Sequence, residues 1–163
     1  MKREAIATYE GLSEIEPENT GLFWPQHHDE STAAGNEAPD HFVEREGILF
    51  AGTHLILDFW GARHLDNLHV VEQALRESVH RCQATLLHIH LHHFTPNGGI
   101  SGVAVLAESH ISVHTWPERD FAAFDIFMCG DAQPEAAIAV LKRTFAPKTM
   151  KITEKLRGIV GRV

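Results

Sequence analysis

An α+β two-layer sandwich, a mostly antiparallel sheet with two helices on one face, is the architecture that this chain's patterning predicts. Three observations carry it. Six stretches are rich in β-branched or alternating residues, two others repeat apolar residues at three- and four-residue steps, and their order is β-α-β-β-β-β-α-β. The four middle strands follow one another through short connections, which suits antiparallel neighbours, because a parallel pair needs a long crossover. Two helices on one face leave the other face of the sheet bare, and a bare face predicts a dimer formed through the sheets.

Residues 1–46 mix acids with Gly, Pro, Ser and Asn and hold few large apolar groups. Such a composition buries too little surface to offset its ordering entropy, so this stretch is expected to be a flexible acidic extension, with residues 47–163 forming the domain. Within the extension, Leu22-Phe23-Trp24-Pro25 is apolar enough to dock on the domain or on a partner. The first strand is expected over Leu55 to Trp60. Leu65, Leu68, Val71, Leu75, Val79 and Cys82 then mark one face of a helix, with Asp66 as its candidate N-cap and Glu72, Arg76, Glu77 and Arg81 on its solvated side.

Ala84 to Phe94 reads as a long strand in which Leu87, Ile89 and Leu91 alternate with His88, His90 and His92. Three imidazoles on one strand face suggest a metal site, but ligands two residues apart lie about 6.5 Å from each other, whereas a tetrahedral ion gathers ligands from several elements. The expectation is therefore a polar or interface-facing surface, with no metal. Pro96-Asn97-Gly98-Gly99 turns the chain into strands at 100–107, 110–116 and 121–129. A second helix follows, with Asp131 or Gln133 as cap, Pro134 in its first turn, and Ala137, Val140, Leu141 and Phe145 as its buried stripe. Pro147 ends it, and Thr149 to Lys155 is the last strand expected.

Composition narrows the function. The formal net charge is −8, and residues 1–46 hold eleven Asp and Glu against three Lys and Arg, so the domain itself is balanced. Without a basic patch to neutralise phosphates, nucleic-acid binding is excluded. No apolar run is long enough to span a bilayer, and a soluble cytoplasmic protein is expected. Two cysteines, Cys82 and Cys129, have no metal-ligand spacing and make no disulfide framework; Cys82, at the end of a helical pattern, reads as a small buried hydrophobe.

The chemistry gathers in Glu108-Ser109-His110-Ile111-Ser112-Val113-His114-Thr115-Trp116-Pro117-Glu118. As a strand, it puts His110, Ser112 and His114 on one face and Ile111, Val113 and Thr115 on the other, with Ser109 at the entrance. His114 follows Ser109 by five residues, Cys129 follows it by twenty, and Ser101 precedes it by eight. These four reactive residues at these spacings, with Trp116-Pro117-Glu118, resemble the short prokaryotic form of S-adenosylmethionine decarboxylase over about Gly52 to Gly158. One departure is a turn from Phe94 to Ser101 that is one residue longer than the family's.

The resemblance implies a proenzyme that cuts itself between Glu108 and Ser109 and converts Ser109 into a covalent pyruvoyl group. That cofactor's ketone forms a Schiff base with the substrate amine and withdraws electrons from Cα, the role that pyridoxal phosphate plays elsewhere. Carried onto matching positions, the resemblance makes His114 the base in processing, Ser101 its assistant, and Cys129 the proton donor to Cα. It assigns substrate binding to Phe94, Trp116 and Glu118, through stacking on adenine and hydrogen bonds to the ribose. It also implies a homodimer of cleaved α/β protomers and a place in spermidine biosynthesis.

Two further readings stay open at this point. Processing residues do not report the substrate, so a pyruvoyl-dependent arginine or ornithine decarboxylase on the same scaffold is the alternative. A non-enzymatic His-rich interaction or metal-binding protein is the other. A serine hydrolase using Ser109 and His114 is disfavoured, because odd and even positions of one strand point to opposite faces and no nucleophile-elbow pattern surrounds the serine.

Overall fold

The computed structural model describes residues 41–162. The elements are β1 (Val43–Arg45), β2 (Ile48–Trp60), α1 (Leu68–Arg81), β3 (Leu86–His93), β4 (Ile100–Leu106), β5 (Ser109–Trp116), β6 (Phe121–Met128), α2 (Glu135–Phe145) and β7 (Thr149–Arg162). All strand pairings are antiparallel. The sheet runs β1-β2-β6-β5-β4-β3, and β7 also pairs with β2, so β3 and β7 are its long edges. The expected α+β sandwich is therefore the fold observed.

Helices and sheet meet on one face. Leu55, Leu57 and Phe59 of β2, Ile111 and Val113 of β5, and Ala122, Phe124 and Ile126 of β6 join Val71, Leu75 and Val79 of α1 and Ala137, Leu141 and Phe145 of α2 in a single core. Phe124 sits at its centre, with ring centroids 5.3 Å from Phe59 and 5.3 Å from Phe145. The buried hydroxyl of Thr115 is satisfied twice, accepting from the Ile100 N–H at 2.8 Å and donating to the Leu65 carbonyl at 2.7 Å. This pair of bonds ties the end of β5 to the start of β4 and to the approach to α1.

Several boundaries differ from the sequence expectation. The N-cap of α1 is Asn67, not Asp66: Asn67 Oδ1 accepts from the Val70 N–H at 3.1 Å, so the helix starts one residue later. Neither Asp131 nor Gln133 caps α2 through its side chain; Pro134 occupies the N-cap. The strand expected from Leu55 is β2 and begins at Ile48, and the last strand continues to Arg162, because β2 and β7 pair with each other along nearly their whole length. Long-range partners there support residues whose local alternation is weak.

The last residues of the stretch expected as extension join the sheet, since Val43–Arg45 pair with Ile48–Phe50 through a turn at Glu46 and Gly47, both at positive φ. Leu22-Phe23-Trp24-Pro25 lies outside the described residues. On the helix-free face stand His54, Ile56, Asp58 and Trp60 of β2, the alternate residues Phe121 to Phe127 of β6, His110 to Trp116 of β5, and His88, His90 and His92 of β3. In β2, β5 and β6 the intervening residues of each run are buried.

Candidate active site

Ser109 opens β5 directly after a two-residue turn, Ala107-Glu108, that reverses the chain from β4; Leu106 and Ser109 are the closing pair. Glu108 takes φ 63°, in the left-handed region. A residue with a Cβ pays about 1–2 kcal/mol there, a position where turns favour Gly. The peptide bond between Glu108 and Ser109 thus follows a strained residue in an exposed turn.

Three contacts hold that turn. The Ala107 N–H donates to the Thr85 carbonyl at 3.0 Å, Glu108 Oε1 lies 3.1 Å from His41 Nε2, and Ser109 Oγ accepts from the Cys129 N–H at 3.2 Å. Ser109 is only 9% exposed. Beside it is a shallow cleft of about 230 Å³, lined among others by His41, Thr85, Glu108, Ser109, Cys129 and Asp131. Cys129 is half-buried, following the last residue of β6. Burial first, and then the nearby Glu108 carboxylate, raise its thiol above the ordinary cysteine range. It is a free thiol kept protonated near neutrality, on the residue whose backbone N–H bonds the serine hydroxyl, and both residues line the same cleft.

Cys82 differs. It is completely buried, its Sγ faces the Pro134 carbonyl at 3.8 Å, and burial pushes its thiol up to about 11. It is a core thiol, as its place in the helical pattern suggested.

The second group lies at the other end of β5, with His114 on the opposite face from Ser109. Ser101 and His114 are direct partners across β4 and β5, with Oγ 2.9 Å from Nδ1. Around them are aromatic surfaces: His92 stands edge-on to Phe94 at 4.5 Å, His114 lies 6.2 Å from Trp116, and Phe121 lies 5.4 Å from Trp116 and 5.6 Å from Trp60. Phe94 is 48% exposed and Trp116 41% exposed, large apolar areas that the fold itself does not cover. Glu118 belongs to the 3-10 turn Pro117–Arg119 that follows Trp116.

So Ser109 pairs with Cys129, and Ser101 pairs with His114, but the two pairs do not meet within one chain. Five residues along a strand separate Ser109 from His114 by about 16 Å, and the odd step puts them on opposite faces. Sequence spacing had grouped all four. The neighbour that spacing could not supply is His41, because nothing local relates it to Glu108, 67 residues away.

His54 and Asp125 occupy the middle of the open face. His54 Nε2 lies 3.3 Å from Asp125 Oδ1, Ser112 Oγ donates to Asp125 Oδ2 at 3.3 Å, and Arg157 Nη1 lies 3.2 Å from His54 Nδ1. This chain of polar groups runs across four strands, from β5 through β6 and β2 to the edge strand β7. His88, His90 and His92 share one face of the edge strand opposite Val105, Val103 and Ser101. Among the described residues, no group of three or more His, Cys, Asp and Glu is placed to hold a metal ion, and no helix is long and apolar enough to cross a membrane.

Known proteins are similar to this chain in sequence and fold. The family model described as S-adenosylmethionine decarboxylase matches residues 53–158. An S-adenosylmethionine decarboxylase proenzyme of Thermomicrobium roseum is 44% identical over 110 residues, which are 67% of this chain and 95% of the relative. The proenzyme of Methanococcus aeolicus is 46% identical over 110 residues, covering 66% and 93%. A crystal structure of the adenosylmethionine decarboxylase of Aquifex aeolicus superposes with a TM-score of 0.64 at 31% identity, over 69% of this chain and 94% of that one. The match spans the turn at Glu108-Ser109, both residue pairs and the sheet that carries them, and on these grounds the chain belongs to the S-adenosylmethionine decarboxylase family.

Proposed function

We propose that this chain is a self-cleaving decarboxylase of S-adenosylmethionine that uses a pyruvoyl group made from its own Ser109, and that it supplies the aminopropyl donor for spermidine synthesis. The observation that carries the reading is the left-handed Glu108 set before a serine whose hydroxyl lies in a cleft with a protonated thiol. A pyruvoyl group fits this place: the residue that would become it sits at a strand start, on a small cleft, with no bulky side chain required beyond Cβ.

In processing, Ser109 Oγ attacks the Glu108 carbonyl carbon. The C–N bond breaks as the C–O bond forms, and the hydroxyl proton passes to the released amine. Removal of the Ser109 Cα proton then expels the Glu108 carboxylate from Cβ and leaves dehydroalanine. Water replaces its nitrogen, ammonia departs, and residue 109 ends as a ketone with no net oxidation. Strain at Glu108 and the donor on Oγ favour the first step by raising the ground state and fixing the nucleophile.

The pyruvoyl group supplies an electrophilic ketone that acts as electron sink for the carbanion left by carbon dioxide. Cys129 delivers the proton to the substrate Cα; its raised pKa keeps that proton available at neutral pH. Phe94 and Trp116 offer faces to adenine and to the sulfonium charge, and Glu118 accepts from ribose hydroxyls. These exposed aromatics and the acid favour a nucleoside-bearing substrate over arginine or ornithine.

His114 and Ser101 serve as processing base and its partner in a second copy of the chain. A two-fold axis crossing the strands between two open faces lays the Ser109 end of one sheet over the Ser101–His114 end of the other. Each site would then be built by two chains, with the open-face pair of one copy meeting the Glu108–Ser109 turn at the sheet end of the other. Free thiols at Cys82 and Cys129 suit a reducing compartment, and we assign the enzyme to the cytoplasm.

The test is the mass of the purified protein under denaturing conditions, followed by carbon dioxide release from carboxyl-labelled S-adenosylmethionine, arginine and ornithine. Two chains, the smaller starting at residue 109 with a ketone in place of its amine, and release from S-adenosylmethionine alone are expected. A single intact chain overturns the cofactor; release from arginine or ornithine instead overturns the substrate.

A further inference from the structure

The family match begins at residue 53, yet the described chain before it reaches the bond proposed for cleavage. His41 approaches the turn in two ways. Its carbonyl accepts from the Gly130 N–H at 2.9 Å, directly after Cys129, and its Nε2 lies 3.1 Å from Glu108 Oε1. Gly130 holds φ +58°, and a Cβ there would come within 3.4 Å of His41 Nδ1, so the imidazole is packed closely against this loop. A carboxylate only accepts, so Nε2 carries the proton in the contact.

From these observations we propose that His41 is a positioning residue for self-cleavage: it tethers the Glu108 side chain and thereby holds Glu108 in the left-handed conformation that presents its carbonyl to Ser109. The inference rests on the proposed cleavage between Glu108 and Ser109 and adds a part from outside the matched region. The turn has three restraints, and they act on different atoms. Thr85 fixes the backbone ahead of Glu108, and Cys129 fixes the Ser109 hydroxyl behind it. Of these three, and among the described residues, the His41 contact is the one that acts on the Glu108 side chain, on the residue whose φ is strained and whose carbonyl is attacked.

Two properties make the tether effective without being rigid. Both side chains are about half-exposed, so the pair is screened and contributes modestly. The His41 backbone is held independently through Gly130, so the imidazole is anchored at its root even when the side-chain contact breaks. The contact therefore biases the population of the attack-ready turn rather than creating it, and its loss slows cleavage without abolishing it.

The experiment follows cleavage of the full chain, freshly made by cell-free synthesis, by denaturing electrophoresis with no substrate added. For an exposed pair, His41→Ala is expected to cleave about two- to fivefold more slowly than wild type. His41→Gln, whose amide nitrogen still donates to a carboxylate, is expected to recover most of that rate. In a Glu108→Ala background, His41→Ala is expected to cost nothing further. A His41→Ala chain that keeps pace with wild type, a His41→Gln chain as slow as His41→Ala, or an undiminished His41 effect without Glu108 overturns the assignment. A wild-type chain that never cleaves, like the Ser109→Ala control, overturns the underlying self-cleavage itself and is recognised by that identity with the control.

Discussion

The Cys129 backbone N–H donates to Ser109 Oγ at 3.2 Å, joining residues twenty positions apart across the ends of β5 and β6. One bond therefore ties the nucleophile of the proposed processing to the backbone of the residue proposed for turnover, and both residues line one cleft.

Replacing that hydroxyl separates folding from chemistry. Ser109→Ala is expected to remain a single chain of encoded mass and to lack decarboxylase activity, with a melting temperature close to wild type. Cleavage of this variant at the same bond, read by intact mass, would exclude Ser109 Oγ as the nucleophile.

Cys129 carries a pH prediction. Its pKa is raised by burial and then by the Glu108 carboxylate, so removing that charge lowers it and enlarges the thiolate fraction at a given alkaline pH. In the uncleaved Ser109→Ala background, Glu108→Gln is expected to speed alkylation of Cys129 by iodoacetamide at pH ~8, because the thiolate is the reacting form. Cys82, buried and pushed up to about 11, is expected to stay unmodified while the fold is intact. Peptide mapping of the alkylated chain reads both, and an unchanged or slower Cys129 rate would remove the carboxylate from the account.

A mixing experiment tests the two-chain site. His114→Ala and Ser109→Ala are each expected to stay uncleaved alone. Co-expressed, the His114→Ala chain, which keeps its serine, is expected to be cut with help from the intact His114 of its companion. Absence of cleavage in the mixture, with mixed dimers verified by differently tagged chains, would require both residues in one chain, contrary to their placement.

Core polarity offers a stability test. Ser78 Oγ is fully buried in α1 and has no hydrogen-bond partner among the described residues. Ser78→Ala removes an unpaired hydroxyl and adds helix propensity, and is expected to raise stability by about 1 kcal/mol in urea unfolding. In the opposite direction, a Cβ on Gly102 would sit 2.2 Å from the His90 carbonyl oxygen, pressing β4 against β3. Gly102→Ala is expected to cost about 1–3 kcal/mol in the same measurement.

Alternation in Ile111, Val113 and Thr115 placed them on the buried face and His110, Ser112 and His114 on the open one, and the structure agrees because period two is a local property of any strand. The stripe Ala137, Val140, Leu141 and Phe145 was legible for the same reason. Asn67 in place of Asp66, and the length of β7, escaped local patterning because neighbouring candidates are chemically equivalent until a backbone donor or a partner strand selects one.

From residue types and spacing alone came the reactive set, the α+β order and the resemblance that named the chemistry; spacing along one chain is one-dimensional and these are one-dimensional facts. Tertiary structure decided how the set divides. Strand register brought Ser101 to His114, a backbone bond joined Ser109 to Cys129, the odd step along β5 put Ser109 and His114 on opposite faces, and the fold carried His41 across 67 residues to Glu108. The physical reason is that pairing between strands, and not the period within any one of them, determines which side chains share a place in space.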